Sequence, residues 1–310
     1  MDVISGRPEP EGFLVEIVPG ERIHFLDWGP PGGTGPQGEA DQPPGVLLVH
    51  GLSSTAWTWA PVARRLRDRV RVVAIDLRGH GLSDAPTSGY TTDQLAEDVV
   101  AVAEGSGLLT DGGPRVVLAG HGFGAIVATW AAAALGDRCA GLVLVDGGWQ
   151  DLAEETGMSP DEWLREMEEP PGVFSSMAAY LADRREFDPA SWDADQDRAA
   201  RSTVVEVPAG KVVSATRPHA VAASVEAMFT YDPLEALAAV PAPVAILLAA
   251  HEDPAGRADR LTALDQVRVR TGLAPIRRID LSSAGHNLMR YRPAEVTAAI
   301  LAVSGEPTRT

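Results

Sequence analysis

The chain has 310 residues, of which 45% are apolar, and a formal net charge of −17. That length and apolar fraction suit one large core carrying an insertion better than two independent folds. The negative charge speaks against nucleic acid or an anionic membrane as partner, because phosphates are repelled, and a single cysteine, Cys139, excludes an intramolecular disulfide and zinc sites built on several thiolates. The first ten residues lack a basic segment followed by an apolar one, so no signal peptide is expected. No stretch of about 18 apolar residues offers a spanning helix, and the expectation is a cytoplasmic protein.

Two short strands, Phe13 to Val18 and Arg22 to Trp28, are expected around a Pro19-Gly20 turn, followed by a Gly/Pro-rich exposed loop at 30–44. The chain then alternates. Strands at Val46 to Val49, Val70 to Ile75, Arg115 to Ala119 and Gly141 to Val145 are separated by helices at about Ala56 to Arg69, Thr92 to Glu104 and Ala125 to Leu135. Strands apolar on both faces, alternating with helices of ten or more residues, indicate a parallel sheet covered on both sides. The alternation stops at Asp146 and resumes at Val244 to Ala249 and Ile276 to Leu281, followed by helices at Arg257 to Val269 and Pro293 to Val303. Residues 1–146 and 233–310 therefore read as one core and 147–232 as an inserted helical cap. Ser159-Pro160-Asp161-Glu162 fits a capping box with proline at the first helical position. Within the insertion, Trp149, Phe174, Met177 and Met228 are candidates to line a substrate pocket, although ordinary packing would also account for them.

Three motifs follow strand ends. His50-Gly51-Leu52-Ser53 follows Val49, Asp76-Leu77-Arg78-Gly79-His80-Gly81 follows Ile75, and Val116 to Gly124 reads Val-Val-Leu-Ala-Gly-His-Gly-Phe-Gly. The last meets the G-x-S-x-G strand-to-helix elbow at every position except the middle one, where Gly122 stands in place of serine. In this set and order the chain resembles the capped α/β-hydrolase superfamily. That resemblance implies an α/β fold: a mostly parallel eight-stranded sheet with helices on both faces and an inserted helical cap.

The resemblance also assigns roles. The backbone N–H groups of Leu52 and Phe123 would form an oxyanion hole, Gly122 would hold the nucleophile position, His286 would be the base and Asp253, after the penultimate strand, its orienting acid. Taken alone, His50-Gly51 could be a tight strand exit, Asp253 an Asx turn before proline and His286 a loop histidine. Asp146 is the rival acid, because some relatives carry theirs after the sixth strand. His80, His121 and His251 read as polar loop groups, and with no H-E-x-x-H pattern neither metal nor cofactor is expected.

Glycine reaches the strained dihedrals of such an elbow without a Cβ penalty, so the turn is expected to be intact but disarmed. Two histories fit: a serine hydrolase whose nucleophile has been replaced, or a chain in which the vacated space admits water or a substrate atom to a His286-Asp253 dyad. The chemistry is expected to be acyl hydrolysis of an ester, lactone or C–C bond. Elimination, isomerisation or cyclisation without a cofactor, and ligand binding on an inactive scaffold, stay open. The expected partner is a neutral or cationic small molecule with apolar surface, and the sequence assigns no oligomeric state.

Overall fold

The computed structural model describes residues 9–29, 43–167 and 173–305. The N-terminal residues 1–8 and most of the Gly/Pro-rich segment expected to form an exposed loop lie outside the described residues. β1 (Glu11–Val18) and β2 (Glu21–Asp27) form an antiparallel edge. β3 (Gly45–Val49), β4 (Val72–Ile75), β5 (Val116–His121) and β6 (Cys139–Val145) continue the sheet. A separate hairpin, β7 (Val204–Val207) and β8 (Lys211–Ser214), precedes β9 (Val244–Leu248) and β10 (Arg277–Asp280). The main sheet runs β1-β2-β4-β3-β5-β6-β9-β10 and is parallel from β4 to β10.

The period-two alternation of the strands divides the core in two. Leu47, Val49, Val73 and Ile75 face α2 (Thr92–Gly105), α3 (Phe123–Leu135) and two further helices, α9 (Pro233–Ala238) and α10 (Pro254–Arg270). Val46, Leu48, Val72 and Ala74 face α1 (Ala60–Leu66), α11 (Leu288–Tyr291) and α12 (Pro293–Val303). Both faces are therefore apolar, as a doubly covered parallel sheet requires. Cys139 is buried among apolar groups, which push its thiol up to about 11.

Between β6 and α9 lie α4 (Leu152–Thr156), α5 (Pro160–Met167), α6 (Met177–Phe187), α7 (Ala194–Ser202) and α8 (Pro218–Phe229). The capping box is formed as expected: the Ser159 N–H donates to Glu162 Oε2 at 2.9 Å and the Glu162 N–H to Ser159 Oγ at 3.3 Å. The β7–β8 hairpin adds strand to a stretch expected to be mainly helical. Its β-branched runs Val204-Val205 and Val212-Val213 flank Pro208-Ala209-Gly210, a hairpin signal that outweighs helical periodicity. Among the described residues no helix is long and apolar enough to cross a membrane.

Backbones pack tightly where α3 crosses β5 and the exit of β3. A Cβ on Gly120 would collide with the Gly124 carbonyl, and one on Gly124 with the carbonyls of Val49 and His50. These are backbone atoms of α3 and of the β3 exit, not flexible side-chain ends that could move aside. Gly124→Ala is therefore expected to destabilise the fold by about 1–3 kcal/mol, read as a lower midpoint in urea with an unchanged slope. An unaltered midpoint would show that α3 is free to lift from the sheet.

Candidate active site

β5 ends at His121, and the chain reverses into α3 through Gly122, at φ +53° and ψ −119°. An L side chain rarely adopts this conformation, so the turn is one that glycine relieves. The Gly122 N–H donates to the Val145 carbonyl at 3.2 Å, and Gly147 packs so closely behind it that a Cβ there would lie 2.6 Å from the Gly122 oxygen. A Cβ built on Gly122 itself would stand 3.3 Å from His286 Nε2, the nearest atom outside Gly122 and its two chain neighbours. One imidazole nitrogen thus faces the position that a side chain at residue 122 would take.

The other nitrogen, Nδ1, lies 2.7 Å from Asp146 Oδ2. Asp146 follows the last residue of β6, the strand beside β5, and adopts φ +48°. Its second oxygen accepts the Ala249 N–H at 2.8 Å, so the carboxylate is fixed between β9 and the histidine loop. This corrects the expectation for Asp253. Asp253 is exposed at the N-cap of α10, with its Oδ1 accepting the Gly256 N–H at 3.0 Å, and it does not touch His286. The Asp253-Pro254 pair was the sequence sign of that cap.

Gly122, His286 and Asp146 line a cavity of about 380 Å³ together with Leu52 and Phe123. As the first residue of α3, Phe123 has an N–H with no intrahelical carbonyl to bond. Leu52 stands on the loop after β3, where Ser53 has φ +56°; Ser53 and Asp146 are the two described non-glycine residues with positive φ. The apolar wall comes from Ile126 of α3 and, from the insertion, Leu152, Trp163, Met167 and Met228. Of the four expected pocket residues, Met228 lines this cavity and Phe174 lines a second one. Trp149 is buried, its ring 5.3 Å from that of His251, and Phe174 and Met177 pack in a separate cluster around Tyr180, Leu181 and Val212. Leu152 escaped the sequence reading because nothing in the helical pattern says which face of α4 meets the core.

The remaining motif residues hold the loops. Asp76 accepts the N–H groups of Ala56 at 2.7 Å and Leu82 at 3.0 Å and lies 2.8 Å from His24 Nδ1. Burial would raise its carboxyl, but these hydrogen bonds hold it below its ordinary value. His50 Nε2 accepts the Leu77 N–H at 3.0 Å while Nδ1–H donates to the Gly51 carbonyl, and burial lowers its pKa. Nε2–H of His121 donates to the His286 carbonyl at 3.1 Å, and the two rings lie 4.4 Å apart. No group of three or more His, Cys, Asp or Glu side chains poised for a metal occurs among the described residues.

Burial, and then the neighbouring histidines, lower His80 and His121 from 6.5 to about 3. Both stay neutral in the fold but protonate near 6.5 once unfolded. Unfolding then takes up protons between pH 6.5 and 3, and stability falls as pH drops through that window. Each histidine contributes a slope of at most about 1.4 kcal/mol per pH unit. His121→Gln, which can keep the donor to the His286 carbonyl, should flatten the pH dependence of unfolding free energy between about pH 6 and 4.5. An unchanged slope in urea titrations would contradict a buried, neutral His121.

Comparison with known proteins identifies the family of the fold. Residues 46–300 match the family described as the alpha/beta hydrolase family. The chain is 35% identical over 103 residues to 2-(acetamidomethylene)succinate hydrolase of Mesorhizobium japonicum, covering 33% of this chain and 35% of that protein. It is 37% identical over 128 residues to N-formylmaleamate deformylase of Pseudomonas putida, covering 41% and 42%. These matches span well under half the length of either curated relative. The crystal structure of E-2-(acetamidomethylene)succinate hydrolase superposes with a TM-score of 0.71 at 21% identity, over 95% of this chain and 98% of that one. Homologues of the chain act as hydrolases, and with the family match extending over most of its length, the chain belongs to the alpha/beta hydrolase family.

Proposed function

We propose that the protein is an acyl hydrolase in which His286, oriented by Asp146, activates a water molecule standing where a serine hydroxyl would be. The observation that carries this reading is the 3.3 Å from His286 Nε2 to a Cβ position on Gly122, with Nδ1 already engaged by Asp146. With Nδ1–H donated to the carboxylate, Nε2 carries the free lone pair. It takes a proton as the water oxygen bonds to the carbonyl carbon of an ester, thioester or related acyl group. The carbonyl oxygen gains negative charge, held by the N–H groups of Leu52 and Phe123, and collapse of the tetrahedral adduct expels the leaving group with the proton from His286. The insertion serves as a cap whose Leu152, Trp163 and Met228 seat a small apolar acyl group.

In the chain as written, His286→Ala is expected to abolish ester turnover with little change in thermal stability, because the side chain is 58% exposed. Gly122→Ser should place a hydroxyl within hydrogen-bonding reach of Nε2. It should create labelling by a fluorophosphonate probe and hydrolysis of p-nitrophenyl butyrate, while the strained turn costs about 1–3 kcal/mol of stability. In that background Asp146→Asn should lower kcat on the order of 10⁴-fold by disfavouring the productive tautomer. Asp253→Asn, which alters only a helix cap, should leave kcat near that of its parent. A folded Gly122→Ser protein that neither labels nor turns over would remove the proposal.

A further inference from the structure

A second cavity, of about 550 Å³, adjoins the first. Asn287 lines both, and Ser53 lines the second while its neighbours Leu52 and Ser54 line the first. The loops that carry the candidate oxyanion donor and base therefore form a shared wall. Beyond it the lining is aromatic, from Phe174, Tyr180 and Trp192, and its charged groups among the described residues are two arginines, Arg184 and Arg290. In a chain of net charge −17, a cavity lined by cations without a carboxylate reverses the overall sign.

Neither arginine is fully engaged. Arg290, 14% exposed, donates from Nε to Ser191 Oγ at 2.6 Å and from Nη2 to the Asp188 carbonyl at 3.0 Å, leaving Nη1 without a hydrogen-bond partner among the described residues. Arg184 directs Nε and Nη2 at Asp183 Oδ2, at 2.9 and 2.6 Å, and likewise leaves Nη1 unpartnered. Its pair with Asp183 is half-exposed, and such pairs hold little free energy, so the guanidinium is available to a second acceptor. Asp188 Oδ2 stands 3.8 Å from Arg290. With one carboxylate already near each arginine, the residual positive charge matches a single negative charge better than a dianion.

We propose that this second cavity is a subsite for a carboxylate-bearing arm of the substrate, its apolar body against Phe174 and Trp192 and its carboxylate on Arg184 and Arg290. The proposal deepens the acyl-hydrolase reading and rests on it for the identity of the bound molecule as substrate. It also revises the expectation of a neutral or cationic ligand. Net charge acts over the whole surface and is screened within about 8–10 Å, whereas the field inside a cavity is set by the groups that line it. Charge-assisted hydrogen bonds from a guanidinium are about twice as strong as neutral ones, so the acid and its amide should be told apart.

Isothermal titration of the chain as written at low ionic strength, with 3-phenylpropanoate and 3-phenylpropanamide, tests this without needing turnover. The acid should bind about tenfold or more tightly than the amide, and the preference should weaken with added salt. Combined Arg184→Gln and Arg290→Gln should erase the preference. Arg290 also anchors Ser191 and Asp188, so Arg184→Glu at its half-exposed position is the second variant and should reverse it. Equal binding of acid and amide, no binding of either in the millimolar range, or a preference that survives Arg184→Glu would overturn the subsite. Failure of Gly122→Ser to label would instead strike the hydrolase reading and leave these titrations untouched.

Discussion

The constraint on which the rest of the site depends is backbone contact at the crossing of β5, α3 and the exit of β3. Gly120 and Gly124 leave no room for side chains, so α3 starts directly against the Val49 and His50 carbonyls, and the chain between strand and helix must reverse within one residue. That reversal sets the unusual dihedrals of Gly122 and aims whatever occupies position 122 at His286. It also leaves the N–H of Phe123, at the start of α3, without an intrahelical carbonyl to bond, and in the proposed chemistry the helix dipole would add to its attraction for a developing oxyanion. Tight packing elsewhere could be exchanged for other apolar side chains. Here it is the absence of side chains that fixes direction.

The second organising element is a hydrogen bond between residues 140 apart in sequence, from His286 to Asp146. Asp146 pays for its place with positive φ, yet it is held by an N–H from β9 and by close packing of the glycines that follow it. Ser53, on the loop after β3, is the other described non-glycine residue in this region of backbone space. Strain of this kind persists only where surrounding structure over-determines it; Asp146 lines the cavity at Gly122 and Ser53 lines the second, adjoining cavity. Asp76 and His50, by contrast, bond loop backbones and, for Asp76, the His24 ring, which braces the two strand exits without contributing a reactive group.

Much of the fold was legible because strands and helices in a doubly covered sheet announce themselves: all eight main strands and the elbow follow from apolar runs and glycine spacing. The acid was less so. Asp146 and Asp253 each follow a strand of the neighbouring pair β6 and β9, and chain order does not say which carboxylate reaches over. Two local signs did bear on it: proline after Asp253 marks a helix cap, and the glycine pair after Asp146 marks an irregular turn. The insertion was least legible. Its helices are amphipathic toward more than one neighbour, so Trp163 and Phe174 look alike in sequence although one lines the cavity at Gly122 and the other belongs to a separate cluster.

The proposed chemistry asks that His286 become positively charged for part of each cycle while its ring lies 4.4 Å from that of His121. Two cations at that spacing would oppose proton transfer, whatever Asp146 contributes. Burial resolves the conflict by holding His121 near pKa 3, so it stays neutral throughout the working pH range and acts only as a hydrogen-bond donor to the His286 backbone. The same burial makes His121 costly to the fold below neutral pH. A residue that taxes acid stability, yet keeps the base's neighbour uncharged and its loop in place, makes physical sense where proton transfer to His286 is the work of the site.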